Sequence, residues 1–433
     1  MRGWKWELES YKIIIMSSQN ITLTITESEP VTDTSIQRNT LYDKFKSRII
    51  HNPYLDRTLV SFQARIAAQN IDVETLNREI QKIIQINFTD YYDDKYGFNH
   101  LAITRNAFSQ PQEQKLVGYI SYCHNHIQNQ DTRNLLLYAA FCILEEISYT
   151  RKDGQYLRWD TRSGRSRAKK EFNKGQILNF QDAIFKKLAH FISDLSDKNT
   201  IQLNLFSQID ISREKKKLNI NLHQGSCLET IPTLIDKSID CVITSPPYVN
   251  RYDYTRTYAL ELAFLGCNED EVKHLRQAML SCTVENRDKK SFLEKYYIGI
   301  ERYEDFLEID SIFNKQAALH EVLHILEFYK QSGNLNNVHI VRMIRNYFYE
   351  MCFVIYELAR VLKPGGVIAM VNDNVQYAGE EVPVDLILSN IAESFGLTTR
   401  YIWTLGRGKG NSSQQMGNHG RSELRKCIYI WEK

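Results

Sequence analysis

The sequence predicts an α/β protein: a doubly wound sheet in the second half of the chain, a mostly helical region before it, and a helical insert within it. Three observations carry this. Apolar residues over 66–84 and 113–149 recur at helical spacing with few β-branched alternations. From residue 218 onward, short β-branched runs alternate with helix-like segments. Residues 266–331 then break that alternation with charged, helix-forming sequence.

In chain order, residues 1–40 open on an unusual run to Met16 and continue as a polar Ser/Thr/Glu stretch, which reads as a disordered lead-in. Residues 41–205 form the mostly helical region, with a basic loop at 151–174, and residues 206–433 form the second domain. A charged linker at 212–217 precedes strands at 218–222 and 239–244, with a short helix at 227–234 between them. After the insert come a long amphipathic helix at 338–362 and a strand at 367–372. A helix at 384–395 and a terminal hairpin from 398–404 and 427–431 complete the alternation. A sheet of this kind binds ligands at the carboxyl ends of its strands. Ser226, Ser245 and Asp373 fall at or just beyond such ends. Asp373 and Asn374 either line a pocket or, as such residues more often do, cap a helix or shape a turn.

Composition excludes more than it selects. Lysine and arginine number 54 against 52 acidic residues, so net charge says little about partners and local clusters must carry that argument. Eight cysteines without regular spacing, and no signal peptide, suit a reduced cytoplasmic setting. Apolar runs such as 135–147 are too short and interrupted for a membrane span.

The most informative stretch is Thr244-Ser245-Pro246-Pro247-Tyr248, where an apolar run stops at two prolines and a ring. Proline fixes φ, lacks an N–H and biases its predecessor towards extended geometry, so this corner is stiff. Pro-Pro usually means no more than a rigid turn. Here the turn also offers a hydroxyl, a peptide carbonyl and an aromatic face, which suit an exocyclic amine on a heteroaromatic ring.

With these residues the chain resembles the amino-methylating DNA methyltransferases, specifically the site-specific cytosine-N4 enzymes with a Thr-Ser-Pro-Pro-Tyr motif. Upstream, Gly225-Ser226-Cys227 matches the family's Gly-Ser or Gly-Asp; downstream, Leu362-Lys363-Pro364-Gly365-Gly366 matches its helix-ending motif, in the expected order. The resemblance implies a Rossmann-like, S-adenosylmethionine-dependent sheet and transfer of a methyl group to the N4 amine of a cytosine swung out of the duplex. It implies Ser245, Pro246, Pro247 and Tyr248 as catalytic residues, with Ser245 and the Pro246 carbonyl polarising the amine and Tyr248 stacking the base. Gly225, Ser226 and Thr244 would contact the cofactor. The implied partners are double-stranded DNA and a cognate restriction endonuclease, with no membrane. No proline precedes a cysteine, which argues against C5-cytosine chemistry and its cysteine nucleophile. Adenine-N6 methylation is the neighbouring alternative.

One departure stands beside the match. The family's Phe-x-Gly-x-Gly cofactor turn is not found: glycine is absent between Gly3 and Gly97, and Gly406 to Gly410 has no helix-like run after it. Residues 55–63 resemble the segment preceding that turn but run directly into a helix-like stretch, as though an internal segment had been lost. A catalytically impaired DNA-binding relative is therefore a second reading.

Two further features bear on ligands. In the loop 151–174, Arg151, Lys152, Arg158, Arg162 and Arg165 interleave with Tyr156 and Trp159, which suits phosphate tracking and base stacking, although a solvated basic loop has the same composition. Lys409, in the polar stretch 407–425, is a further candidate for DNA contact. Finally, His320-Glu321-Val322-Leu323-His324 matches a zinc-peptidase pattern, with Glu350 as a conceivable third ligand. Leu319, Val322, Leu323 and Leu326 form a core-like stripe that explains the same spacing without metal, so no metal site is expected.

Overall fold

β-Branched residues at Ile239, Val242, Ile243 and Thr244 make the strand that leads into the proline corner, and Pro246 and Pro247 end it because neither can donate to a ladder. The computed structural model describes residues 14–16, 41, 44–45, 47, 49–51, 73–153, 156–165, 171–196, 223, 225–405 and 424–433. Apart from 14–16, the expected lead-in lies outside the described residues. So do residues 55–70, the expected strand at 218–222, and Lys409 with the stretch 406–423.

The described chain forms two contact-defined units that interleave in sequence. Among the described residues, one holds 73–196 and 254–273; the other holds the short segments before residue 52 together with 223–253 and 274–433. Two three-residue strands come first in the chain, β1 (Ile14–Met16) and β2 (Ile49–His51).

The first unit holds the expected helices. They are α1 (Val73–Ile83), α2 (Gln110–His126), α3 (Gln130–Cys142), α4 (Leu144–Ile147) and, after a hairpin, α5 (Phe180–Ser196). Phe88, Tyr119 and Phe180 meet edge to face at its centre. Residues 151–159 are not a loop. They form β3 (Thr150–Asp153) and β4 (Tyr156–Trp159), paired antiparallel with Arg151 opposite Arg158.

In the second unit, α6 (Cys227–Thr230) is followed by β5 (Ile239–Thr244), both where the sequence predicts them. The chain then leaves for the first unit, adding α7 (Tyr254–Thr257) and α8 (Ala259–Phe264), before α9 (Glu269–Ala278) carries it back. This excursion is why the units interleave: Phe264 packs against Phe98 and Phe141 of the first unit, and Glu261 pairs with Lys152.

The insert forms α10 (Lys290–Gly299), α11 (Tyr303–Asn314) and α12 (Ala317–Gln331), which lead to α13 (Ile340–Val361). Its apolar faces, with Leu293, Tyr297, Phe306, Ile309 and Leu323, join the second unit's core beside Ile344, Phe348 and Met370. β6 (Leu362–Asp373), β7 (Val375–Tyr377), β8 (Glu380–Val382), α14 (Val384–Ser394), β9 (Thr398–Thr404) and β10 (Lys426–Glu432) complete the unit.

The six-stranded sheet has the order β1-β5-β6-β10-β9-β2. β5 and β6 run parallel, as a long helical crossover requires, while β10 runs antiparallel to both β6 and β9. The sheet is therefore of mixed orientation within an α/β fold. Sequence predicts a gap between the long helix and strand 367–372; instead the strand begins at Leu362. Ile239 faces Leu362 and Cys241 faces Val367, so residues 363–366 bulge out of the ladder. Gly365 makes this possible with φ +76, and its N–H donates to the Lys433 carbonyl at 2.7 Å.

Candidate active site

β5 and β6 end side by side, with Thr244 opposite Met370, so the proline corner and Asp373 share one end of the sheet. Thr244, Pro246 and Pro247 are buried, Ser245 is exposed and Tyr248 is half-buried. No described group donates a hydrogen bond to the Pro246 carbonyl. The corner thus keeps two acceptors available in front of a ring.

Beyond the corner, the backbone is tied down. The Asn250 N–H donates to the Tyr248 carbonyl at 2.7 Å, and Tyr377 from β7 donates its hydroxyl to the Val249 carbonyl at 2.6 Å. Asn250 Oδ1 accepts from the Tyr252 N–H, and Arg276 pairs with Asp253 at 3.1 Å. Such anchoring removes the freedom that would otherwise blur the geometry of Ser245 and Tyr248. The Tyr377 contact is invisible to motif reading, because the two residues are far apart in sequence.

Burial, then the negative charge of Asp373, pushes the Tyr248 phenol up to about 12, with hydrogen bonding from Ser245 pulling the other way. The ring therefore stays neutral at physiological pH. Burial likewise raises the Asp373 carboxyl to about 6, opposed by Lys426 across the ladder. Its neighbours have structural duties. Asn372 donates to Tyr347 at 2.6 Å, and Asn374 Oδ1 accepts from the Asp385 N–H in the first turn of α14, the capping role that such residues favour. For Asp385, burial alone would raise the carboxyl. The charge and hydrogen bonds of Arg425 outweigh that and hold it below the usual range.

Gly225 and Ser226 precede α6. A side chain on Gly225, whose φ is +156, would come within 2.9 Å of Thr230 Oγ1. Gly225, Ser226 and Cys227 border a mostly apolar hollow with Leu275, Ala278, Met279 and Leu280, and the Ser226 hydroxyl donates to the Ala278 carbonyl at 3.0 Å.

Comparison with characterised proteins gives the chain its family. Over 414 residues the chain is 42% identical to the Type II methyltransferase M.AvaI of Nostoc sp. (strain PCC 7120 / SAG 25.82 / UTEX 2576), covering 90% of this chain and 82% of that protein. The M.AvaI of Anabaena variabilis matches to the same extent. The chain is also 41% identical over 384 residues to the Type II methyltransferase M.BsoBI of Geobacillus stearothermophilus, covering 86% of this chain and 73% of that protein. The chain belongs to the Type II DNA methyltransferases. No family model and no solved structure matches it.

The methyltransferase carries its basic residues differently from the expectation of a free loop. Strand periodicity turns Arg151 and Arg158 to one face of the hairpin and Lys152 and Trp159 to the other. Lys152 pairs with buried Glu261 and lies over the Tyr258 ring. Arg162 pairs with buried Asp160 at 2.7 Å. Arg165 stacks on Trp159 and donates to the carbonyls of Ala102, Ile103 and Arg105. Arg158 lies over Phe172. Arg151 is exposed.

The zinc pattern resolves as packing. Leu319, Val322, Leu323 and Leu326 are buried core, and His320 Nε2 lies 3.3 Å from the Phe313 carbonyl. Glu350 is taken by Lys289 at 2.8 Å and by Ser281. Among the described residues no group of His, Cys, Asp and Glu could hold a metal ion. None of the described helices is long and apolar enough to cross a membrane.

Proposed function

We propose that this chain transfers a methyl group from S-adenosylmethionine to the N4 amine of a cytosine extruded from double-stranded DNA. The observation that carries the reading is the corner itself: an exposed Ser245 hydroxyl, a Pro246 carbonyl that no described group claims and the half-buried Tyr248 ring, all fixed by anchored backbone. The lone pair of an aromatic amine is delocalised into its ring. Two acceptors on its hydrogens, Ser245 and Pro246, draw the nitrogen towards tetrahedral geometry and localise that pair. Tyr248 stacks the base and offsets part of the few kcal/mol that unpairing costs.

The cofactor supplies an electrophilic methyl group on a sulfonium. The side-chain-free Gly225 and the apolar hollow beside it fit one edge of a flat adenosine, so Gly225, Ser226 and Thr244 would hold that end. Serine rather than aspartate before Pro246 favours cytosine N4 over adenine N6.

DNA contact by the basic hairpin belongs to the same reading. Arg151 and Arg158 stand directly opposite one another on one face of the hairpin, a pair of cations that suits a phosphate. Lys409 extends the proposed contact from the stretch outside the described residues. A cognate restriction endonuclease acting at the same sequence, and a cytoplasmic setting, accompany a modification enzyme. Sequencing DNA from a host expressing the protein, with a method that reports modified bases, tests the whole reading: N4-methylcytosine at one recurrent sequence is expected. N6-methyladenine instead, or unmodified DNA, would overturn it.

A specific observation keeps the second reading alive. The outer neighbour of β5 is the three-residue, glycine-free, antiparallel β1, where the family resemblance calls for a strand leading into a glycine-rich turn. On this second reading the chain would be a relative impaired in cofactor binding. Calorimetry distinguishes the two, since micromolar affinity for S-adenosylmethionine would remove the impaired reading.

A further inference from the structure

We propose that the Asp373 carboxylate is the proton acceptor of the methyl-transfer step, drawing the second amine hydrogen away as the new bond forms. This rests on the amine-methylation reading above. Asp373 is the last residue of β6, which runs on past the Thr244–Met370 pair where β5 ends, so it lies at the sheet end that launches the corner, and it is 9% exposed. Its neighbours Asn372 and Asn374 spend their side chains on Tyr347, Glu381 and the α14 cap, whereas no described group donates a hydrogen bond to the Asp373 carboxylate. Neither carboxylate oxygen is a fully buried orphan, so the group opens towards solvent at the strand's ligand-binding end, where a substrate amine can reach it.

The charged and titratable groups around it come from two elements. Tyr248 belongs to the corner, and Lys426, Cys427 and Tyr429 belong to β10. Burial drives the Cys427 thiol and the Tyr429 phenol well above their ordinary values, so both remain neutral. Lys426 is the one cation among the four, and Asp373 is the one base among these five groups able to take a proton near neutrality. Its value of about 6 matches that task.

The balance requires such a base. The amine nitrogen forms a bond to the methyl carbon, the carbon–sulfur bond breaks with its electron pair left on sulfur, and the nitrogen is left with one hydrogen too many. Ser245 and the Pro246 carbonyl hold the two amine hydrogens while the lone pair is localised, but neither is basic, so once the bond to the methyl carbon forms one of those hydrogens leaves its acceptor for Asp373. Asp373 accepts the surplus proton and becomes a neutral acid, which then releases the proton to solvent.

The test uses the full-length protein and Asp373→Asn, which preserves shape and removes basicity. Nucleoside mass spectrometry of substrate DNA should show N4-methylcytosine formed by the wild type at a rate that rises through pH 6. The variant should be slower by about 100-fold or more, with no rise at that pH and with unchanged DNA affinity. Carboxyl-carbon NMR of the wild type, independent of methyl donor, should show one aspartate titrating near 6 whose signal is missing from the variant. If the variant fails to fold, the wild-type pH profile and this titration decide. A wild-type enzyme active on the amine alongside an equally active variant, or a flat wild-type profile, would overturn the role of Asp373 alone. A wild type that leaves the amine unmethylated would overturn the underlying reading, and this role with it.

Discussion

The corner at Ser245–Tyr248 and the hairpin from Thr150 to Trp159 look alike in sequence: each sets polar groups beside aromatic rings. In the structure they differ in what remains free. At the corner, Ser245 is exposed and the Pro246 carbonyl has no donor among the described groups. Along the hairpin and the turn after it, Lys152 is committed to Glu261, Arg162 to Asp160 and Arg165 to three carbonyls. Proline explains the contrast. It lacks an N–H and cannot rearrange, so the Pro246 carbonyl finds no donor among the described groups, whereas long cationic side chains reach whatever acceptor the fold buries nearby.

The largest effect that would sharpen this comparison is on the hairpin. Glu261 is buried with its carboxyl raised by desolvation, against the opposing pull of Lys152. Lys152→Met should therefore cost about 3 kcal/mol at neutral pH by stranding a buried carboxylate, with less lost in acid, where Glu261 is protonated. Chemical denaturation at two pH values measures it. Unchanged stability with weakened DNA binding would instead make Lys152 a phosphate contact and erase the contrast. Next in size is Ser245→Ala, for which methylation should fall by about 100-fold, comparable to loss of one preorganised hydrogen bond, while the melting temperature barely moves. A variant that melts early would make the corner structural.

How much of this was legible depends on the range of the interactions. The corner, α6, β5, α14 and the β9–β10 pair arise from local chemistry: β-branched runs, proline stops and apolar periodicity. The hairpin's commitments were hidden because Lys152 and Glu261 lie 109 residues apart. Composition gives the charge, and only the fold says which acceptor it meets. Leu362 to Gly366 misled for a related reason. A Pro-Gly-Gly run reads as a gap between elements, yet the Lys433 backbone bonds to Gly365 and Gly366 and turns the gap into a bulge within β6. Asp373 shows the limit from the other side. Its position at a strand end was readable, but sequence could not separate it from its capping neighbour Asn374.

That separation yields the third prediction. An Asp raised from 3.8 to about 6 binds more protons folded than unfolded between those values, so its contribution to stability declines as pH rises through that window. Asp373→Asn should therefore stabilise the protein at pH 7–8, by at most about 3 kcal/mol at roughly 1.36 kcal/mol per unit, and the gain should vanish near pH 4. Denaturant midpoints across pH measure this; a destabilised variant would mean that the carboxylate has a structural partner.

The smallest effect isolates Arg151, the exposed member of the hairpin. Its backbone pairing is independent of its side chain, so Arg151→Ala should leave the melting temperature unchanged. If it meets a phosphate, binding should weaken about equally on all DNA sequences, and the slope of log affinity against log salt should fall by about 1. Because Arg158 stands opposite on the same face, one cation of the pair remains, which makes the loss in affinity modest. An unchanged slope in fluorescence-anisotropy titrations would place the DNA track elsewhere. The hairpin would then be a purely structural clasp, its remaining basic side chains spent on holding Asp160, Glu261 and Trp159 in place.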